Sequence, residues 1–353
     1  MAPRTTSQNS IAQARSEASW RSRLERLRQW FFRAADRRPG LSILLFHRVL
    51  AERDPFRPGD LTAAEFDGIV GVLARNYAVL SLDEAVARLE ANALPRGALA
   101  ITFDDGYRDN LDVAAPILAA HRVPATVFVS TGFLDGSWMF NDRVIEACKV
   151  TRCTSATFPS LRAEPLDLST VEAKVAAAHA ILDNAKYLEF DARLAAVADF
   201  EDRLGTRPGR GPMLDEDGIR RLRASGVAIG AHTVDHPILA NLDDSAARAQ
   251  IHQSRERLID ILREPVTQFA YPNGQPGRDY GRTHVAMVKE AGFRCAVSTT
   301  PCTARPGMDR YELPRFTPWD KSGWRFAARL LAMRIRDRDE TVARAHPETS
   351  QPH

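Results

Sequence analysis

The chain has 353 residues, of which 44% are hydrophobic and 26% charged, and its formal net charge is +3. This length suits one large α/β domain or two ordinary domains, and the small net charge argues against a nucleic-acid-binding protein. No apolar run reaches the ~18 residues of a membrane-spanning helix, and the four cysteines fit no zinc-binding spacing, which predicts free thiols.

The positive charge is concentrated at the N-terminus, where residues 1–38 hold nine arginines and three acids. Trp20, Leu24, Leu27 and Phe31 recur there at helical spacing among the arginines, which predicts a basic amphipathic helix. We interpret residues 1–39 as an extension that either docks on the domain or contacts an anionic membrane surface. Because no hydrophobic leader is seen, we expect a cytoplasmic location, with peripheral contact at the inner membrane face as one option.

From Leu41 onward, short apolar runs alternate with amphipathic stretches. Strands are predicted at Ser42–Val49, Leu99–Phe103, Ala125–Ser130, Val227–Ala231, Thr267–Tyr271 and Cys295–Thr299. Helices are predicted at Leu61–Arg75, Leu82–Ala91, Asp109–His121, Asp215–Ser225, Ser245–Leu262 and Gly281–Ala291. Such alternation indicates a parallel sheet, and six to eight units in about 280 residues favour a distorted (β/α)7-8 barrel.

Two segments depart from this alternation. Residues 141–210 are rich in alanine and charged residues, and we predict that they form a helical insertion on the barrel. The segment 319–353 is predicted to be a C-terminal tail, which leaves residues 40–318 as the main domain.

Polar residues at the carboxyl ends of parallel strands are the first place to seek chemistry in such folds. They are His47 after "SILLF", Asp104 and Asp105 after "LAITF", and His232 and His236 after "VAIGA". Two imidazoles and one carboxylate suit Zn²⁺ with an open position, and they also suit non-haem iron. A neighbouring carboxylate that stays ionised beside the cation can accept a proton from the attacking water.

Two motifs make the chain resemble a known family. "TFDDG" and "HTVDH" are similar to the first two motifs of the polysaccharide deacetylases (carbohydrate esterase family 4, the NodB-homology domain). The resemblance runs from about Leu41 to Arg315 and includes "LLFHRV" and "FAYPNG". It implies a distorted barrel with a divalent transition metal, usually zinc, that removes N-acetyl and sometimes O-acetyl groups from sugar polymers.

The resemblance also implies roles for individual residues. Asp104 matches the general base, and the metal ligands would be Asp105, His232 and His236. Tyr271 and Pro272 match the third motif, which lines the substrate groove, and the Tyr271 N–H is expected to help hold the oxyanion.

The sequence departs from the family pattern at two points. The third motif lacks the arginine that tunes the base in many members, and no late Leu-x-His motif supplies a general acid. We hypothesise that His47 partly fills the role of the acid, and we consider Arg315, in "LPRF", a candidate for substrate contact. The aromatic stretch "SWMFND" is either a sugar-stacking surface or part of the core.

The leading interpretation is a metal-dependent hydrolase that acts on an N-acetylated polysaccharide or oligosaccharide. An amidase for small non-sugar amides would use the same groups. An inactive carbohydrate-binding member of the fold and an iron oxygenase are further alternatives. The sequence leaves the saccharide, the general acid and the oligomeric state open.

Overall fold

A curled sheet of seven parallel strands lies at the centre of the part of the chain that this computed structural model describes, residues 40–186, 188–207 and 209–336. Along the sheet the order is β1 (Ser42–Phe46), β5 (Ala98–Phe103), β6 (Thr126–Val129), β9 (Ala228–Ala231), β10 (Gln268–Ala270) and β11 (Cys295–Val297), and β4 (Ala78–Val79) also pairs with β5. Two further strands, β2 (Val49–Leu50) and β3 (Leu61–Thr62), pair beside it.

An extended segment joins the two edges of this sheet. Val297 of β11 bridges Leu313, and Leu44 of β1 bridges Phe316, both in the parallel sense. The backbone hydrogen bonds include Leu313 N–H to Ala296 C=O at 3.0 Å and Phe316 N–H to Ile43 C=O at 3.1 Å. Residues 313–316 therefore complete the circuit, and the sheet has the form of a distorted barrel.

The helices that connect the strands pack on the outside of the sheet. They are α1 (Ala63–Asn76), α2 (Leu82–Glu90), α3 (Ala115–His121), α7 (Glu216–Ala224), α8 (Asp244–Leu262) and α9 (Arg282–Glu290). Their starts follow from side-chain capping: Thr62 and Glu65 form a capping box at α1, and the Ser81 hydroxyl accepts from the Glu84 N–H at α2. Each of these six helices was predicted from its amphipathic pattern.

The insertion has a hydrophobic core of its own. It contains α4 (Phe140–Val150), an antiparallel hairpin of β7 (Ser155–Phe158) and β8 (Arg162–Asp167), α5 (Val171–Ala185) and α6 (Phe190–Arg203). Phe158 and Phe200 are fully buried in this core, with ring centroids 4.4 Å apart. The segment predicted as a helical insertion thus contains these three helices together with a hairpin that was not expected.

The chain continues into the core after Pro318, where a tail was expected. Helix α10 (Gly323–Arg336) packs against α1 and buries Phe326, Ala327 and Leu330 completely. The amphipathic stretch "WRFAARLLAMRIR" is thus a structural helix of the barrel, because its apolar face needs a partner surface. The predicted basic helix of residues 1–39 lies outside the described residues.

All six predicted strands are present, and the predicted α/β fold class is confirmed. Five of them are shorter than predicted, whereas β5 begins one residue earlier, at Ala98. Cys148 and Cys295 are buried free thiols, as expected. Within the described ranges, no helix combines the length and the apolar composition that crossing a membrane would require.

Candidate active site

The alternation of β5 places Asp104 inside the barrel. Ala98, Ala100 and Thr102 share one face of the strand, and Asp104 is the next residue in that period of two. The small alanines leave interior space, which the long side chain of Arg315 occupies. Arg315 is completely buried and donates from Nη1 and Nη2 to the two carboxylate oxygens of Asp104, at 2.7 and 2.8 Å.

This ion pair keeps Asp104 charged in a buried position. Burial opposes ionisation of the Asp104 carboxyl, but the charge of the Arg315 guanidinium and its hydrogen bonds outweigh burial and hold the pKa of Asp104 at about 2. A bidentate guanidinium also fixes the orientation of the carboxylate. Asp104 is therefore an ionised, oriented acceptor over the whole physiological pH range.

Asp105 points to a different partner. Its backbone φ of +75° is in the left-handed region, which turns the chain sharply out of the strand. Its Oδ1 atom lies 3.6 Å from His232 Nε2 and 3.4 Å from His236 Nε2. The three side chains offer ligand atoms that all lie within 4.8 Å of one another.

These three residues fit a cation. Asp105 Oδ1 is buried without a hydrogen-bond partner among the described residues, a costly state that a bound metal ion would relieve. His232 donates from Nδ1 to the Ala270 carbonyl at 2.7 Å, which leaves Nε2 with its lone pair toward Asp105. Burial lowers the pKa of both His232 and His236 to about 4, so both rings are neutral at neutral pH, as metal ligands must be.

A strained turn presents the two histidines. Thr233 and His236 have φ values of +65° and +54°, and the Thr233 hydroxyl accepts from the His236 N–H at 3.1 Å. Gln250 on α8 accepts from the N–H groups of Val234 and Asp235 at 3.0 and 2.9 Å. The predicted strand-to-loop turn is thus present, and a helix supports it from behind.

A cavity of about 440 Å³ opens over these groups. His47 is exposed at its wall and also lines a second cavity of about 440 Å³ that contains Trp319. His47 therefore lies where the two cavities meet, close to Asp104 and Asp105.

The insertion forms part of the first cavity. Phe140 and Asn141 of α4, Lys186 after α5 and Arg193 of α6 line it. The buried Asp142 accepts from the Tyr107 hydroxyl at 2.9 Å and from Arg57 at 2.5 Å. This contact fastens the insertion to the barrel loop that follows the two aspartates.

Tyr271 and Pro272 of the third motif do not line the first cavity. The Tyr271 ring is buried against Tyr280, with centroids 3.7 Å apart, and its N–H donates to Val297 C=O at 3.2 Å within the sheet. An N–H used in this way is not free to hold an oxyanion. Pro272 is buried and is not part of the cavity wall, which contains Asn273 instead.

Arg315 also differs from expectation. Because its side chain has no exposed surface, it contacts Asp104 and not a substrate. Arg315 thus places a guanidinium on Asp104 from the segment that joins the sheet edges, whereas the third motif contains no arginine.

Comparisons with known proteins agree with this geometry. The sequence profile described as polysaccharide deacetylase matches residues 91–296, more than half of the chain. The chain belongs to the polysaccharide deacetylase family. Because it belongs to this family, the protein is a deacetylase of the hydrolase class. Members of the family are generally metal-dependent.

Individual relatives are distant in sequence. YxkH of Bacillus subtilis (strain 168), whose own assignment as a polysaccharide deacetylase is provisional, is 21% identical over 78% of this chain and 70% of its own length. The Streptococcus pyogenes deacetylase PplD, solved with acetate, has a TM-score of 0.56 at 18% identity and covers 84% of this deacetylase and 98% of PplD. IcaB from Ammonifex degensii has a TM-score of 0.55 at 19% identity, with coverage of 84% and 97%. At these identities the structural likeness concerns the fold.

Several residues of the cavity wall were not anticipated from the sequence. Arg48 directly follows His47, and Thr299 follows β11, so the strand-end rule could have indicated both. Arg57, Lys186 and Arg193 lie in loops and the insertion, where no local pattern marks a residue as facing the site.

Proposed function

We propose that this deacetylase removes acetyl groups from an N-acetylated polysaccharide or oligosaccharide, with Asp104 as general base. The observation that carries the proposal is the pairing of two adjacent aspartates with opposite surroundings. Asp104 is ionised and held by Arg315, whereas Asp105 faces two neutral imidazoles with one oxygen unpartnered.

Asp105, His232 and His236 would hold a divalent cation, for which zinc is the best candidate. Bound there, such an ion would supply Lewis acidity that polarises the acetamide carbonyl and makes the attacking water more acidic. Asp104 is then available as the base, because its carboxylate is held by Arg315 and the proposed ligand set does not include it.

In the proposed reaction, water adds to the acetamide carbonyl carbon while Asp104 accepts its proton. The carbon–nitrogen bond then breaks, and the departing sugar nitrogen takes up a proton to leave as an amine beside acetate. We assign that proton donation to His47, because it lines the cavity near both aspartates and the chain lacks the late histidine motif.

The test is acetate release from chitotetraose by the full-length chain, together with its metal content. Asp105→Asn should lose bound metal and activity together. Asp104→Asn should keep the metal and lose about 10²- to 10⁴-fold in kcat, the usual contribution of a general base.

Asp112→Asn is a matched control, since the Asp112 side chain is half exposed and pairs with Arg108 on the surface, 3.4 Å from its Nε. It should behave as the wild type. Full activity in Asp104→Asn, or full metal content in Asp105→Asn, would overturn the assignment.

A further inference from the structure

The insertion places two cations in the substrate cavity without carboxylate partners. Lys186 and Arg193 both line the first cavity, and no described residue forms an ion pair with either of them. The other two cations of the wall differ, because Arg48 bonds Asp109 at 2.7 Å and Arg57 bonds Asp142 at 2.5 Å. Of these four cations, the two without an ion pair among the described residues therefore both come from the insertion.

Arg193 is an unusual side chain. It is only 8% exposed, and its Nε atom is buried without a hydrogen-bond partner among the described residues. Burying a guanidinium with an unused donor costs free energy of folding, which a bound ligand that accepts from this donor would offset. The charge of Glu189, the residue that caps the start of this helix, offsets part of that cost. Glu189 forms no ion pair with Arg193 in the described part of the chain, and its Oε2 accepts from the N–H groups of Asp191 and Ala192.

Aromatic rings fix the position of this cation. The guanidinium carbon lies 4.5 Å from the Phe140 ring centroid and 5.5 Å from that of Phe190. Ring faces attract a cation and orient its plane, but they do not neutralise its charge or accept its N–H groups in the plane. The forked donors of an arginine held in this way suit a carboxylate or a phosphoryl group.

We propose that Arg193, assisted by Lys186, binds an anionic group on the saccharide, so that the substrate is an acidic N-acetylated glycan. This inference rests on the proposed function, because it names the class of the same substrate. The anion is a carboxylate or a phosphoryl group that lies in the same cavity as the acetamide to be cleaved. Arg193 is then a determinant of specificity and takes no part in bond making or breaking.

The experiment compares three probes at low ionic strength: chitotetraose, a tetrasaccharide of alternating N-acetylglucosamine and glucuronate, and chitotetraose with a reducing-end phosphate. We expect wild-type kcat/KM to be at least about tenfold higher for one of the anionic probes than for chitotetraose. The favoured probe identifies the anion, and added salt should reduce the preference. Arg193→Gln and Lys186→Gln should each lower it, mainly through KM.

Arg203→Gln is the matched control on the same helix, because Arg203 is exposed and pairs with Asp199. It should leave the preference unchanged. Lys186 is exposed, so its substitution tests the proposal even where Arg193→Gln fails to fold. An equal loss on neutral and anionic probes, or no wild-type preference for either anion, would overturn the proposal.

Calorimetric binding to Asp104→Asn separates this inference from the proposed function. Arg193-dependent binding of an anionic probe that the wild type does not deacetylate would support the subsite and contradict the proposed reaction. Deacetylation of chitotetraose with no Arg193-dependent preference would support the proposed reaction and contradict the anion subsite.

Discussion

The barrel end and the insertion treat their buried charges in opposite ways. In the barrel, Asp104 is bound at both oxygens by Arg315, and His232 is bound by the Ala270 carbonyl. In the insertion, Arg193 is almost as deeply buried but lies on aromatic rings with a donor unused. The side chains proposed for catalysis are fixed by hydrogen bonds within the protein. The arginine proposed for recognition keeps a donor that a bound ligand could use.

Removing the barrel's internal partner should have the largest effect. Arg315→Met leaves Asp104 buried without its counter-charge, and since burial raises the pKa of a carboxyl, the pKa of Asp104 should rise. Activity needs the ionised carboxylate, so it should be lost on the acid side at a higher pH than in the wild type. With orientation lost as well, we expect about a thousandfold lower kcat near pH 5. A pH–rate profile checks this.

Arg143→Met is the control for that experiment. Arg143 forms a comparable two-point pair with Glu201, at 2.9 and 2.6 Å, but inside the insertion. Its loss should cost stability and leave the pH profile in place. An unshifted profile in Arg315→Met would mean that Arg315 does not set the state of the base.

A smaller effect is expected at the junction of the two cavities. His47→Ala should lower kcat about a hundredfold with bound metal retained, because a lost proton donor slows departure of the amine. His121→Ala, on the outer surface and paired with Asp67 at 2.8 Å, should be neutral. Wild-type turnover in His47→Ala, measured with metal content, would rule out its assignment as the acid.

The smallest effect on turnover of chitotetraose should come from the core of the insertion. Phe158→Ala removes a fully buried ring and should destabilise the insertion by about 3–5 kcal/mol. We expect faster hydrogen exchange in residues 155–203, a weaker preference for the anionic probes, and nearly unchanged kcat/KM for chitotetraose. If kcat/KM for chitotetraose fell as far as kcat/KM for the anionic probes, the insertion would serve catalysis in general and not recognition of the anion.

The sequence was most informative where local pattern and function coincide. The apolar strands that end at Asp104 and His232 could be recognised from period and composition, and the motif pair indicated the three residues proposed here as metal ligands. Arg315 was misjudged because its partner lies 211 residues earlier, and only closure of the sheet brings them together. Lys186 and Arg193 could not be identified, because their place depends on how the insertion packs against the barrel.

The pairing of an early aspartate with a late arginine also has a consequence during protein synthesis. A ribosome must deliver the chain through residue 315 before the guanidinium can reach the carboxylate. Until then, the emerging polypeptide lacks the Arg315 contact that orients Asp104, the proposed proton acceptor. If Asp104 acts as proposed, activity therefore requires that synthesis has passed Arg315 and that the segment joining the sheet edges is in place.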